Sequence, residues 1–284
     1  MNCLFVEQLT VIDCAYLDAR RGLVGESWIV DVELHGDLDE QSMVLDFGDV
    51  KKRLKRAIDG SVDHTLLVPQ LAPELTIGQR DGDIELQFHS NAGLIEHRSP
   101  SVAVSLVDAE SIDAQAVTDY LLPHLKAVVP ANVAEIHLNL RTERIDGAYY
   151  HYVHGLKKHQ GQCQRIAHGH RSRIEIRVDG IRSQALEAAL AARWTDIYLA
   201  TREDVVGAAD GRLRFAYRSP EGRFELGLPE SRVELIDSDT TVEKLAEWIA
   251  KRMSGNVKGG QTVQAKAYEG VMKGAIASCK NGDS

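Results

Sequence analysis

Between positions 150 and 176 the chain reads YHYVHGLKKHQGQCQRIAHGHRSRIEI, which gathers five of its eleven histidines around Cys163. Neutral imidazole is the commonest protein ligand for transition metals, and three imidazoles with an open fourth position make a catalytic zinc site. In His168-Gly169-His170 the histidines are two residues apart, so a strand would present both on one face, with Gly169 leaving room on the other. A single His-x-His pair is a weak signal; the density of the cluster, with His154 upstream, is the stronger one. Cys163 sits in the intervening loop beside histidines and Arg165, a setting that favours thiolate and a general-base role over the usual fate of a free cysteine as buried filler. His151 and His159 are expected to be exposed or to support the ligands rather than to bind.

The elements that must hold these residues form two copies of one pattern. Positions 24–36 (VGESWIVDVELHG) align with 168–180 (HGHRSRIEIRVDG), both alternating apolar and polar residues before stopping at Gly, as half-buried strands do. Positions 100–108 align likewise with 229–237. Each is followed by a helical pattern, over 114–122 with Pro123 as the expected stop, and over 242–253 after the capping run Asp239-Thr240-Thr241. Strands are expected at the ends of both copies, 134–140 and 262–268. Earlier helices are expected over 50–58 and 183–192. Grouped strands with interposed helices predict an α+β fold with an antiparallel sheet covered on one face. The division falls at Asp146-Gly147, giving repeats 1–146 and 147–284, and no low-complexity linker separates them. The first copy has no histidine before His35 and cannot rebuild the cluster, but it alone carries Asp63-His64.

The 284 residues carry a net charge of -9, with 44% hydrophobic and 26% charged side chains. That is enough apolar material for a core, and too acidic a balance for a nucleic-acid backbone binder. Lys157-Lys158 and Arg171/Arg173 could still form a local anion pocket. The four cysteines, Cys3, Cys14, Cys163 and Cys279, include no Cys-x-x-Cys pair and suit reduced thiols in a cytoplasmic protein; Cys3, Cys14 and Cys279 carry no functional argument. No apolar run is long enough for a membrane span.

The motifs His154, Cys163, His168-Gly169-His170, Asp46-Phe47, Val62-Asp63-His64, Thr240-Thr241 with Glu243, and Glu269 resemble those of the 6-pyruvoyltetrahydropterin synthase / 6-carboxytetrahydropterin synthase family. The resemblance implies two tandem tunnelling-fold (T-fold) repeats and a homo-oligomer. It implies Zn2+ on His154, His168 and His170, catalysis by Cys163, Asp63 and His64, and pterin binding by Glu269 with Thr241 and Glu243. The implied activity is a lyase acting on 7,8-dihydroneopterin triphosphate, with 6-carboxytetrahydropterin, a precursor of queuosine-type deazapurines, as the preferred product. The pyruvoyl-forming triphosphate elimination and a non-catalytic pterin-binding T-fold are the alternatives. Four residues separate Cys163 from His168, between the three usual for the carboxy-forming type and the five usual for the pyruvoyl-forming type, so spacing does not choose a product. Glu143 stands in a place related to Glu269, but Arg141 and Arg144 are ready partners for it. Nothing in the sequence decides whether Asp63-His64 reaches the cluster within one chain or across an interface.

Overall fold

The computed structural model describes residues 2–282. In chain order the first copy contains β1 (Asn2–Asp18), β2 (Gly22–Gly36), α1 (Phe47–Ser61), β3 (Leu66–Pro69), β4 (Leu75–Arg80), β5 (Asp83–Ser90), β6 (Gly93–Pro100), β7 (Val104–Val107), α2 (Ala114–Lys126) and β8 (Val133–Thr142). The second repeats the order with β9 (Tyr149–His154), β10 (His168–Val178), the short β11 (Ile181–Arg182), α3 (Gln184–Arg193), β12 (Ile197–Thr201), β13 (Val205–Ala209), β14 (Arg212–Ser219), β15 (Gly222–Pro229), β16 (Val233–Ile236), α4 (Val242–Ser254) and β17 (Thr262–Tyr268). It then adds β18 (Gly274–Lys280), which the sequence reading did not include.

Each copy builds its own sheet, ordered β7-β3-β1-β2-β8 and β16-β12-β9-β10-β17-β18. The long hairpins at their centres are antiparallel, as expected, whereas β3 and β7 run parallel to β1, and β12 and β16 to β9. Parallel neighbours need a long connection, which the β4–β6 and β13–β15 segments supply between β3 and β7 and between β12 and β16.

Helices cover one face of each sheet. Val50, Leu54 and Ile58 of α1 recur at helical spacing and bury with Val117, Leu121 and Leu125 of α2 against Val24, Val30 and Val32. Asp46 accepts hydrogen bonds from the Gly48 and Asp49 amides, and Asp113 from the Ala116 amide, so both helix starts are capped. Pro123 does not end α2, which continues to Lys126. Leu125 is fully buried two residues beyond the proline, and burying a leucine contributes ~1.5–3 kcal/mol, enough to offset much of the local penalty of a helical proline. On the second copy α4 buries Leu245, Ile249 and Met253 against Ile174, Ile176 and Val263.

A third sheet, β13-β14-β15-β6-β5-β4, belongs to both copies. Its seam is the antiparallel pair β15–β6, where Leu226 faces His97 and Glu225 faces Arg98. Alternation sends Leu86, Phe88, Phe215 and Phe224 inward onto Leu17 and Val68 of the first copy and Val153 and Ala200 of the second, giving one apolar core common to both.

The two central hairpins also touch directly, through glycines at corresponding positions. Ala15 pairs with Gly25 in the first hairpin and Val153 with Gly169 in the second. A Cβ on Gly169 would lie 2.6 Å from Gly25 Cα, and one on Gly25 would lie 2.7 Å from the His170 amide nitrogen. Only glycine permits this approach, and it brings β1 and β2 of one copy against β10 of the other.

Candidate active site at the junction of the repeats

His154 ends β9 and pairs in register with His168 at the start of β10; His170 follows on the same face. All three are essentially buried, with ring centroids 4.5 Å (His154–His168), 5.2 Å (His154–His170) and 5.6 Å (His168–His170) apart. Two of the outer nitrogens are hydrogen-bonded, and the third faces a carboxylate. His154 Nδ1 lies 3.0 Å from the Thr240 carbonyl oxygen and His168 Nδ1 3.0 Å from that of Arg165. His170 Nδ1 lies 3.2 Å from Asp13 Oδ1. Carbonyl and carboxylate oxygens only accept, so each Nδ1 is assigned the proton and each Nε2 a free lone pair. The Nε2 atoms of His154 and His170 face one another at 3.2 Å, and that of His168 is buried without a hydrogen-bond partner.

Burial, reinforced by the neighbouring imidazoles, holds the pKa of His154 and of His168 well below the ordinary range, so both rings are neutral. Three convergent imidazoles, each with an acceptor beside its far nitrogen, suit a zinc-type ion with an open position, so the residues present fit the group that the sequence motif implies.

Asp13 and Thr240 escaped the sequence reading as orienting groups. Asp13 is buried in β1 of the first copy, accepts from Ser27 Oγ at 2.5 Å and lies 3.1 Å from Lys273 Nζ. Burial pushes its carboxyl pKa up, but His170, Lys273 and Ser27 outweigh burial and hold it well below the usual carboxylate range. The Thr240 hydroxyl also comes within 3.3 Å of His154 Nδ1. Thr241 is the N-cap residue of α4 without a side-chain cap bond, and Glu243 is exposed in the first turn of that helix. The threonine that reaches the rings is therefore Thr240.

Asp63-His64 follows α1 and reaches the second copy's cluster within the same chain. The His64 ring stacks obliquely on His168 at 5.0 Å, and His64, Cys163 and His168 present ligand-type atoms within 4.8 Å of one another. Asp63 accepts from the Asp13 amide at 2.8 Å with one oxygen and lies 2.8 Å from His64 Nδ1 with the other. Burial opposes charge on His64, yet hydrogen bonds with Asp63 and Cys163, and the charges of those partners, lift its pKa to about 10. His64 also adopts a left-handed backbone with φ 53°, an uncommon conformation for a non-glycine residue, while its amide donates to the Asp13 carbonyl oxygen at 2.8 Å.

Cys163 lies in a short 3-10 turn, Gln162–Gln164, and is half-buried. Arg165 is turned away into a two-pronged contact with Glu221 at 2.8 and 3.1 Å, so the side chain set against the thiol is His64. Glu269 is half-buried in the turn after β17, where its amide donates to the Lys273 carbonyl oxygen and its charge helps to raise the Lys273 pKa against burial. The expected local basic pocket is taken up internally. Lys157 pairs with Glu203 and Asp204, Lys158 with Asp239, and Arg173 with Glu143, while Arg171 donates to the Glu143 carbonyl oxygen. His151 binds the Gly25 carbonyl oxygen at 2.7 Å, and His159 is exposed.

The corresponding place in the first copy holds Tyr16, Val24 and Glu26 where the second has His154, His168 and His170. There Arg21 makes a two-pronged ion pair with Asp196, at 3.0 and 2.6 Å, and donates to the Tyr16 hydroxyl. Among the described residues the three-histidine cluster therefore occurs once.

The profile of 6-pyruvoyl tetrahydropterin synthase matches the chain twice, over residues 15–129 and 146–281. The chain belongs to that family. Its α+β architecture is two tandem T-fold repeats. Among solved structures it is similar to the 6-pyruvoyl tetrahydropterin synthases of Plasmodium falciparum (18% identity, 49% of this chain and 90% of that one, TM-score 0.41) and Plasmodium vivax (18%, 49% and 97%, TM-score 0.38). No curated protein sequence matches the chain. Among the described residues no helix is long and apolar enough to cross a membrane.

Proposed function

We propose that this chain is a zinc-dependent lyase that converts 7,8-dihydroneopterin triphosphate to 6-carboxytetrahydropterin. One observation carries the reading: Asp63-His64 of the first repeat meets Cys163 and the His154/His168/His170 cluster of the second inside a single chain. The division of labour follows the boundary at residue 146, with 1–146 supplying the acid–base pair and 147–284 the metal ligands and thiol.

A bound zinc ion supplies Lewis-acid polarisation of the hydroxyls on the substrate side chain. The protein does the rest. His64 stands against Cys163, and Asp63, fixed by the Asp13 amide, keeps the imidazole oriented so that thiol and ring can act as base and acid in turn. Glu269 offers a carboxylate to the adjacent N–H groups of the pterin edge, a two-point contact that sets ring orientation. The buried ligand set limits water at the reacting carbons.

The decisive experiment is mass spectrometry of the products formed from 7,8-dihydroneopterin triphosphate by zinc-loaded protein. The carboxytetrahydropterin mass supports the proposal. The pyruvoyl product would move the chain to the triphosphate-eliminating branch of the family, and unchanged substrate would remove the enzymatic reading.

A further inference from the structure

Cys3 has no role in the sequence motifs, but the fold gives it neighbours. On the face of the first sheet that the helices leave uncovered, Cys3 of β1 pairs with His35 of β2, and His35 with Glu135 of β8. In the adjacent row Glu33 of β2 pairs with His137 of β8. Directly paired residues and their second neighbours share a face, so thiol, imidazoles and carboxylates collect on one patch. Cys3, Glu33 and His35 bring ligand-type atoms within 4.8 Å of one another. The His35 and His137 rings lie 4.8 Å apart and tilted by 42°. His35 Nε2 is shielded from solvent without a hydrogen-bond partner, 3.5 Å from Glu33 Oε2.

We propose that Cys3, Glu33 and His35 form a second metal site, distinct from the histidine cluster, with a fourth position left to water. Thiolate, imidazole and carboxylate donors with one open position suit a borderline-soft tetrahedral ion, which points to Zn2+ rather than to calcium or magnesium. The site belongs to the first repeat alone, because the second carries Arg177 where the first has Glu33. It draws on two strands. Residues 2–6 pair with β2 beyond a register break between Val6 and Thr10, and their side chains are largely exposed. A metal held by Cys3 from β1 and by Glu33 and His35 from β2 would clip that outlying segment to the sheet.

The test uses the full chain, stripped with chelator and titrated with Co2+ alone, since cobalt reports thiolate ligation through a charge-transfer band. A second equivalent of cobalt is expected beyond the one taken by the histidine cluster. The thiolate band should persist in Cys163→Ala and vanish in Cys3→Ser, and the second equivalent should also be lost in His35→Gln. Because Cys3 is exposed at a strand end, Cys3→Ser is expected to keep the native circular dichroism. A His168→Ala/His170→Ala chain should still bind one equivalent, which separates this site from the proposed lyase centre. A wild-type protein with no thiolate band, or a band that disappears only with Cys163→Ala, would overturn the proposal. Hydrogen exchange gives an independent readout: metal should slow exchange at residues 3–6 in the wild type and not in Cys3→Ser, and equal exchange in both would count against the clip.

Discussion

Asp13 and His170 lie in different repeats, yet the carboxylate of the first stands 3.2 Å from Nδ1 of the second. A buried carboxylate on the outer nitrogen of a ligand histidine fixes its tautomer and ring plane, and loss of such a partner typically weakens metal binding ~10–100-fold. Asp13→Ala should therefore lower zinc affinity by about that factor, measured by competition with a chromophoric chelator. Unchanged affinity in a folded variant would show that His170 needs no orienting group.

Cys163→Ala should keep zinc and fold while losing turnover by at least ~100-fold, the usual scale for a positioned acid or base. His64→Ala should do the same. Near wild-type rates in Cys163→Ala would reduce the thiol to a packing residue.

Since His64 reaches Cys163 within one chain, mixing His64→Ala chains with His168→Ala chains should restore no activity even under proven subunit exchange. Recovery towards a quarter or more of the wild-type rate would mean that working sites are built between chains.

Gly169→Ala should lower stability by about 2 kcal/mol or more, read from the urea midpoint, because the added methyl group meets the Gly25 backbone rather than a movable side chain. It should also depress turnover, since the same contact sets β1 against β10. A midpoint equal to wild type would mean that the hairpins can part freely.

His97 is 3% exposed in the shared core, and burial lowers its pKa to about 4. With an unfolded value near ~6.5, the unfolded chain binds the extra proton between those limits, so this residue removes up to about 3 kcal/mol as pH falls from about 6.5 to 4. Glu26 acts oppositely: burial raises its pKa to about 7, so its contribution falls as pH rises from about 4.5 to 7. The informative quantity is thus the difference between wild type and His97→Leu, which places the residue of the paired position, Leu226, at the seam. That variant should gain relative stability progressively below pH 6.5. A difference independent of pH would show that His97 is not a buried neutral base.

The histidine cluster was legible in the sequence because ligands on a paired hairpin sit close along the chain, at His154, His168 and His170. The repeats were legible because strand alternation and stop signals recur. Asp13 and Thr240 were not, since an orienting carboxylate or carbonyl needs no motif, and each lies far from its histidine in sequence. That Thr240 meets His154 turns on which residue faces inward at the start of α4, a one-residue matter that a capping signal does not resolve. Pro123 misled as a stop because burial of Leu125 offsets much of the cost that the local rule counts. The β6–β15 seam was hidden because its two edges belong to different copies, and strand patterns do not name their partners. Cys3 gained neighbours only once register with His35 was fixed.

The shared sheet also orders events during synthesis. The β15-facing edge of β6 has no partner until residues 222–229 have been made, and Leu86 and Phe88 lack part of their core until Phe215 and Phe224 follow. Over that interval the nascent first repeat exposes an open strand edge next to apolar side chains, a combination that invites pairing with another copy. Slower release of the second half, or truncation before β15, should accordingly raise aggregation even though every residue of the first repeat is already present.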